Sequence, residues 1–235
     1  MDQNIEVKVT AGPGTQTILL GDAQAPLPNP KRVEIKGNID APARFYEKRR
    51  SEIEIKTAHV LVHREDPMYI GLFMDETNPI NKEVIGELKF DLDLVQFQIN
   101  ANRLYTVKEL ANLLRLRRQF FRDTEQHAKT MKSLGEFSAR TSIEFKEIDD
   151  RKGNTEILRK RASTVDLDFE FVLNIPIYKG FEPKTFRIEI LADVTDGGVK
   201  LWLESIELAE LVKTERDAIF AEQIKALDGF VIIEQ

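Results

Sequence analysis

The sequence predicts an α+β protein: antiparallel β-sheet regions with a central helical hairpin and a long C-terminal helix. Three observations carry this prediction. The regions 52–100 and 155–203 alternate apolar and polar side chains with the period of a strand. Between them, the stretch from Thr106 to about residue 150 steps at helical spacing, and Glu204 to Leu227 does so again. Runs of strands set apart from runs of helices favour this class over an alternating parallel sheet.

From the N-terminus, Ile5 to Thr10 alternates, Ala11-Gly12-Pro13-Gly14 signals a turn and Gln16 to Leu20 resumes an apolar run, the pattern of a small hairpin. Gly21 to Pro30 holds three prolines and reads as an extended connector, so residues 1–30 are set apart from a single α+β domain over 31–235. Val33 to Lys36 reads as a strand. Asp40 then stands as the N-cap of a short helix with Pro42 in its first turn, running to about Arg50.

Glu52 to His63 reads as a strand with Ile53, Ile55, His59, Leu61 and His63 on one parity and Val60 and Val62 on the other, so both faces are expected to be partly covered. Tyr69 to Met74 is expected to pair back on it after the Asp66-Pro67 turn. Val84 to Asn100 reads as a further strand, with a bulge or turn at the parity shift between Leu94 and Val95.

Thr106 to Arg122 carries the signature of a helix start, with Thr106 and Glu109 placed to satisfy each other's backbone amides. On a helical wheel Val107, Leu110, Leu113, Leu114, Leu116, Phe120 and Phe121 share one half, while Arg115, Arg118 and Arg122 share an opposite edge. Arg117 projects from the apolar half and is expected to be held by a buried carboxylate, because an unpaired buried guanidinium is costly. A second helix follows from Asp123, with Lys152-Gly153-Asn154 as the first firm stop.

Val165 to Phe171 alternates with Asp166, Asp168 and Glu170 on the other parity, and Leu173 to Tyr178 continues that strand, where Pro176 calls for an edge or a bulge. Lys184 to Ala192 and Val199 to Leu203 read as a hairpin closed at Asp196-Gly197-Gly198. Glu204 to Leu227 is the long amphipathic helix, and Phe230 to Ile233 a last short strand.

Composition narrows the chemistry. The chain has 235 residues, 42% of them hydrophobic, enough for a proper core. A net charge of -6 argues against a general nucleic-acid coat. The absence of cysteine excludes disulfides, thiolate metal sites and cysteine nucleophiles. No basic-then-apolar leader and no run of about 18 apolar residues occurs, so a cytoplasmic protein with no membrane partner is expected.

No phosphate-binding, dinucleotide-binding, nucleophile-elbow or zinc-protease motif is present, which lowers an enzyme reading without eliminating it. No catalytic residue, metal ligand set or cofactor is assigned. Asp91/Asp93, Asp149-Asp150 and Asp166/Asp168/Glu170 read first as solvated faces, with strand-borne carboxylates of a metal-dependent hydrolase as the sharper alternative. His59 and His63, four residues apart on a strand, are about 13 Å apart and too distant to share a metal. The basic clusters Lys48-Arg49-Arg50, Arg115/Arg118/Arg122 and Arg159-Lys160-Arg161 are candidate contacts to single-stranded nucleic acid, though a charged helix ridge is usually a solvated face.

Three segments, Gly37-Asn38-Ile39-Asp40-Ala41-Pro42-Ala43-Arg44-Phe45, Thr106-Val107-Lys108-Glu109-Leu110-Ala111 and Leu173-Asn174-Ile175-Pro176-Ile177-Tyr178-Lys179-Gly180, together resemble the YfdQ-like family of phage and prophage proteins. The resemblance supplies no catalytic residues and implies a phage-derived cytoplasmic protein. The leading expectation is therefore a non-enzymatic accessory protein that acts by oligomerisation or by binding a host or phage protein. A nucleic-acid-associated protein of phage recombination or replication and a metal-dependent hydrolase are the alternatives.

Overall fold

A computed structural model describes residues 33–75, 82–149, 170–195 and 198–235, all within one compact unit. The expected N-terminal hairpin and connector lie outside these residues. The α+β class holds, with five helices and two sheets among the described residues.

The first sheet has five strands, β1 (Val33–Asn38), β2 (His59–His63), β3 (Tyr69–Phe73), β4 (Lys82–Glu87) and β8 (Val231–Glu234), in the order β1-β4-β3-β2-β8. Its centre is antiparallel, and β2 with β3 forms the expected hairpin. Both outer pairs, β1 with β4 and β2 with β8, are parallel, so the sheet is mixed where an antiparallel one was expected. Those partners lie far apart in sequence, and local alternation carries no information about their direction. Strand β2 also starts later than expected, because Arg50–Glu52 and Ile55–Thr57 form short 3-10 turns.

On one face of this sheet Val60, Val62, Ile70, Leu72 and Val84 are buried. Helix α1 (Ala41–Lys48) packs on it, chiefly against β4. Asp40 occupies the N-cap position of α1, but its carboxylate pairs with Arg44 at 2.6 Å instead of bonding a backbone amide. On the opposite face His59 stacks on Phe73 and His63 on Tyr69, with ring centroids 4.9 and 5.4 Å apart.

The second sheet is the antiparallel meander β5 (Glu170–Pro176), β6 (Pro183–Thr195), β7 (Gly198–Glu204). Phe171, Leu173, Ile175, Phe186, Ile188, Ile190, Leu201 and Leu203 form its buried face. Pro176 sits at the end of edge strand β5, where no ladder amide is missed. The part of the expected strand before Glu170 lies outside the described residues.

Helix α3 (Val107–Leu116) is pinned at both ends to this second sheet. At its start Tyr105 exchanges two backbone hydrogen bonds with Leu201 on β7, of 2.7 and 2.8 Å. Beyond its end Phe121 bridges Leu173 on β5, and the Arg122 amide donates to Val172 O at 3.1 Å. Leu110 and Leu114 are fully buried between these two attachments.

The capping box at Thr106 forms as expected: the Thr106 amide donates to Glu109 Oε2 (2.8 Å) and the Glu109 amide to Thr106 Oγ1 (3.2 Å). The donated Thr106 amide holds the Glu109 carboxyl below the usual carboxylate range. The helix itself stops at Leu116 and not at Arg122. Phe121 has to leave helical geometry to reach β5, so Arg117 turns the chain into a 3-10 turn over Arg118–Phe120. Helix α4 (Thr124–Asp149) follows and completes the helical hairpin.

The largest departure from expectation is residues 88–100. Strand β4 ends at Glu87, and Leu92–Phe97 is a helix, α2. The Asp91 carboxylate caps it, accepting from the Asp93 amide at 2.9 Å, and Leu94 and Phe97, three apart, are its buried residues. Gln98, Asn100 and Asn102 then adopt φ of 52°, 58° and 54°, left-handed geometry that terminates a helix and fits no strand.

Candidate functional site

An apolar concavity lies between α2 and α5 (Ile206–Ala226). It encloses about 350 Å³ between Phe90, Leu94, Val95 and Ile99 on one side and Leu208, Ala209 and Val212 on the other, with Gln98 and Asn100 at one end.

Each wall is fixed by hydrogen bonds of its own. The Asn100 side chain donates to Ser205 O and accepts from Ser205 N, both at 2.9 Å, which clamps the loop after α2 to the start of α5. Ser205 caps α5 by accepting from the Leu208 amide at 3.0 Å and donates its hydroxyl to Arg187 O. In the first turn of α5, Glu207 accepts the Arg187 amide at 2.8 Å, so the helix start takes over both backbone groups of a β6 residue. Phe90 stacks on Tyr178 with ring centroids 5.1 Å apart, and the Tyr178 hydroxyl donates to Val212 O at 2.9 Å. Burial pushes the Tyr178 phenol up to about 12.

What the groove leaves in water is unusual. Phe90 is 39% and Val95 44% exposed; Leu92, three residues before Val95 on α2, reaches 71%, and Ile206, three before Ala209 on α5, reaches 75%. Residues 206, 209 and 212 lie at helical spacing, so Ile206 continues the α5 wall outward. The C-terminal helix thus buries Leu208, Ile219 and Phe220, with Leu227 buried at its C-cap, and leaves Ile206 exposed.

The basic residues singled out from sequence are dispersed over different local structures. Arg49 lies over the Phe45 ring and faces Glu52 at 3.4 Å, and Arg50 bonds the Tyr46 hydroxyl at 3.0 Å, whereas Lys48 is exposed beside them. Arg115 bonds Asn112 Oδ1 at 2.9 Å on α3 and, with Lys108, Glu109 and Met131, lines a concavity of about 610 Å³ between α3 and α4. Arg118 lies in the 3-10 turn, 3.4 Å from Thr124 Oγ1, and Arg122 in the connector beside β5. The single helical edge expected for Arg115, Arg118 and Arg122 does not form, because α3 ends before the last two. Arg159, Lys160 and Arg161 lie outside the described residues.

Arg117 departs from expectation as well. No carboxylate pairs with it among the described residues; its guanidinium lies over the Phe97 ring, 5.7 Å from the centroid, with Nε buried and lacking a hydrogen-bond partner. The ring face takes the place of an ion pair.

Among the carboxylates, Asp91 is a helix cap and Glu170 pairs with Arg187 at 3.2 Å. Asp93 lies in the first turn of α2, Asp149 ends α4, and Asp150, Asp166 and Asp168 lie outside the described residues. No group of three or more His, Asp and Glu side chains among the described residues could hold a metal ion. No helix among them is long and apolar enough to cross a membrane.

Sequence reasoning missed the groove because alternation over 88–99 disguised α2. The signal that marks it is Asp91 followed by Leu94 and Phe97, a cap with apolar residues at helical spacing, and then three asparagine or glutamine residues suited to left-handed turns. No family model, curated protein or solved structure matches this chain.

Proposed function

We propose that this chain is a phage- or prophage-derived accessory protein of the host cytoplasm, not an enzyme, that works by seating an apolar segment of a host or phage protein in the α2–α5 groove. The observation that carries the reading is the exposure of Val95 in a concave apolar lining, with Leu92 and Ile206 exposed three residues before the lining residues Val95 and Ala209 on their helices. Large side chains clustered this way mark protein-binding surfaces, and single scattered ones do not. A channel between two helices suits an amphipathic helix that inserts residues at helical spacing, with Gln98 and Asn100 offering polar contacts at its end. The resemblance noted in the sequence supports the phage origin. The nucleic-acid alternative draws less support, since Arg49 and Arg50 are engaged by Phe45 and Tyr46 of α1 and Arg115, Arg118 and Arg122 share no ridge.

A photo-cross-linking amino acid placed at Val95, expressed in a phage-carrying bacterium, is expected to yield one defined cross-linked protein. The same probe at exposed Glu136 on α4 is expected to yield none. Equal labelling from both positions, or none from Val95, would refute the groove as the binding surface.

A further inference from the structure

We infer that β1 is a self-complementary edge through which two copies of this chain join their five-stranded sheets, antiparallel and two-fold symmetric about Ile35. The inference concerns a second copy at the sheet edge and stands apart from the groove reading.

Among the described residues strand β1 is an outer strand of the sheet, bonded to β4 alone, and all six of its residues are exposed. An uncovered edge presents a row of unpaired backbone donors and acceptors, and chains normally guard such edges. Here the usual guards are weak: β1 carries no proline, and its one lysine, Lys36, is neutralised by Glu34 at 2.7 Å on the same face.

The side chains supply a reason for a specific partner. In antiparallel pairing centred on Ile35, residue positions across the seam sum to a constant. Ile35 then faces Ile35 of the second copy, each Glu34 faces a Lys36, and each Val33 faces a Gly37. Two opposite-charge pairs form on one face and an apolar contact on the other, by symmetry, from one six-residue strand. A perpendicular two-fold keeps equivalent faces on the same side, so the core faces of the two sheets run on continuously. Helix α1 sits over β4, one strand in from the edge, which leaves Val33 (45% exposed) and Ile35 (40%) uncovered on that face. The second copy's Val33 and Ile35 would fill the space. The register works whichever parity of β1 points its amides outward, since a two-fold axis passes through either kind of antiparallel residue pair.

The opposite edge lacks these properties. Strand β8 has four residues, its exposed Val231 and Ile233 have no complementary charge beside them, and Glu234 is engaged by Arg64 at 3.2 Å.

Sedimentation equilibrium of the full chain tests the inference. The parent is expected to be a dimer. Lys36→Glu, which sets carboxylates against carboxylates at both pairs, is expected to weaken dimerisation roughly tenfold or more. Adding Glu34→Lys to that variant reverses both pairs and is expected to restore the dimer. The groove substitution Ala209→Glu should leave the dimer intact, which separates failure of this inference from failure of the groove. A monomeric parent, a dimer indifferent to Lys36→Glu, or a reversal that does not rescue it would each overturn the inference. Amide hydrogen exchange of the parent needs no variant: slower exchange in β1 at higher protein concentration supports the edge, and exchange independent of concentration overturns it.

Discussion

Phe97→Ala is expected to lower the unfolding free energy by roughly 3–5 kcal/mol, the cost of emptying a large aromatic site in a packed core. Phe97 is completely buried at the last turn of α2, and three neighbours depend on its position. The Phe120 ring meets it edge-on at 6.2 Å, the Tyr105 hydroxyl donates to its carbonyl at 3.1 Å, and the Arg117 guanidinium lies over its face. Removal of the ring therefore opens a cavity and also leaves Arg117 with neither ring nor carboxylate beside a buried Nε. Urea unfolding followed by Trp202 fluorescence and circular dichroism measures the loss. Leu92→Ala, at a residue 71% exposed on the same helix, should move stability by less than about 0.5 kcal/mol. A Phe97→Ala loss below about 1 kcal/mol would contradict the role assigned to this ring as the fixed point of α2.

Gly86→Val is expected to cost about 3 kcal/mol, at the upper end of what overpacking does. A Cβ at Gly86 would lie 2.6 Å from Ile39 O, 2.7 Å from Asn38 O and 2.7 Å from Pro42 Cδ. Two of those atoms are backbone, so no rotamer change relieves the contact. The turn joining β1 to α1 would have to lift off β4, and both elements with it. Thermal unfolding by circular dichroism gives the cost, and hydrogen exchange should localise the loosening to β1 and α1. Parent-like stability in the variant would mean that this turn does not rest on Gly86.

How far the sequence reveals this molecule depends on the range of the interactions concerned. The capping box of Thr106 and Glu109 was legible because its atoms lie three residues apart and the pattern needs nothing else. The β2–β3 hairpin and the β5–β6–β7 meander were legible because alternation and turn residues sit side by side in the chain. The parallel placement of β1 and β8 was not, since each pairs with a strand distant in sequence. Helix α2 was hidden by a coincidence: Leu88, Phe90, Leu92 and Leu94 alternate at period two, and the single cap at Asp91 decides otherwise. Arg117 was rightly seen as awkward, but the wheel that located it assumed a helix that ends just before it.

The same division applies to function. The exposed arginines could be found from sequence because charge is a property of single residues. Their grouping could not, because it relied on an unbroken helix through Arg122. The groove required α2 and α5 to be brought together by the Asn100–Ser205 clamp, residues 105 apart in sequence, and no local pattern announces that.

The central claim, that association runs through the groove and not through the arginines, is tested most directly by the mass of complexes formed by the purified, tagged chain in extract from phage-carrying cells treated with nuclease. Three proteins are compared: the parent, Ala209→Glu, and the triple variant Arg115→Gln, Arg118→Gln, Arg122→Gln. Ala209 is exposed, so its replacement leaves the core untouched. The account predicts that the parent and the triple variant carry the same added mass and that Ala209→Glu carries none. Retention of the added mass by Ala209→Glu, together with its loss in the triple variant or in the parent after nuclease treatment, would contradict it.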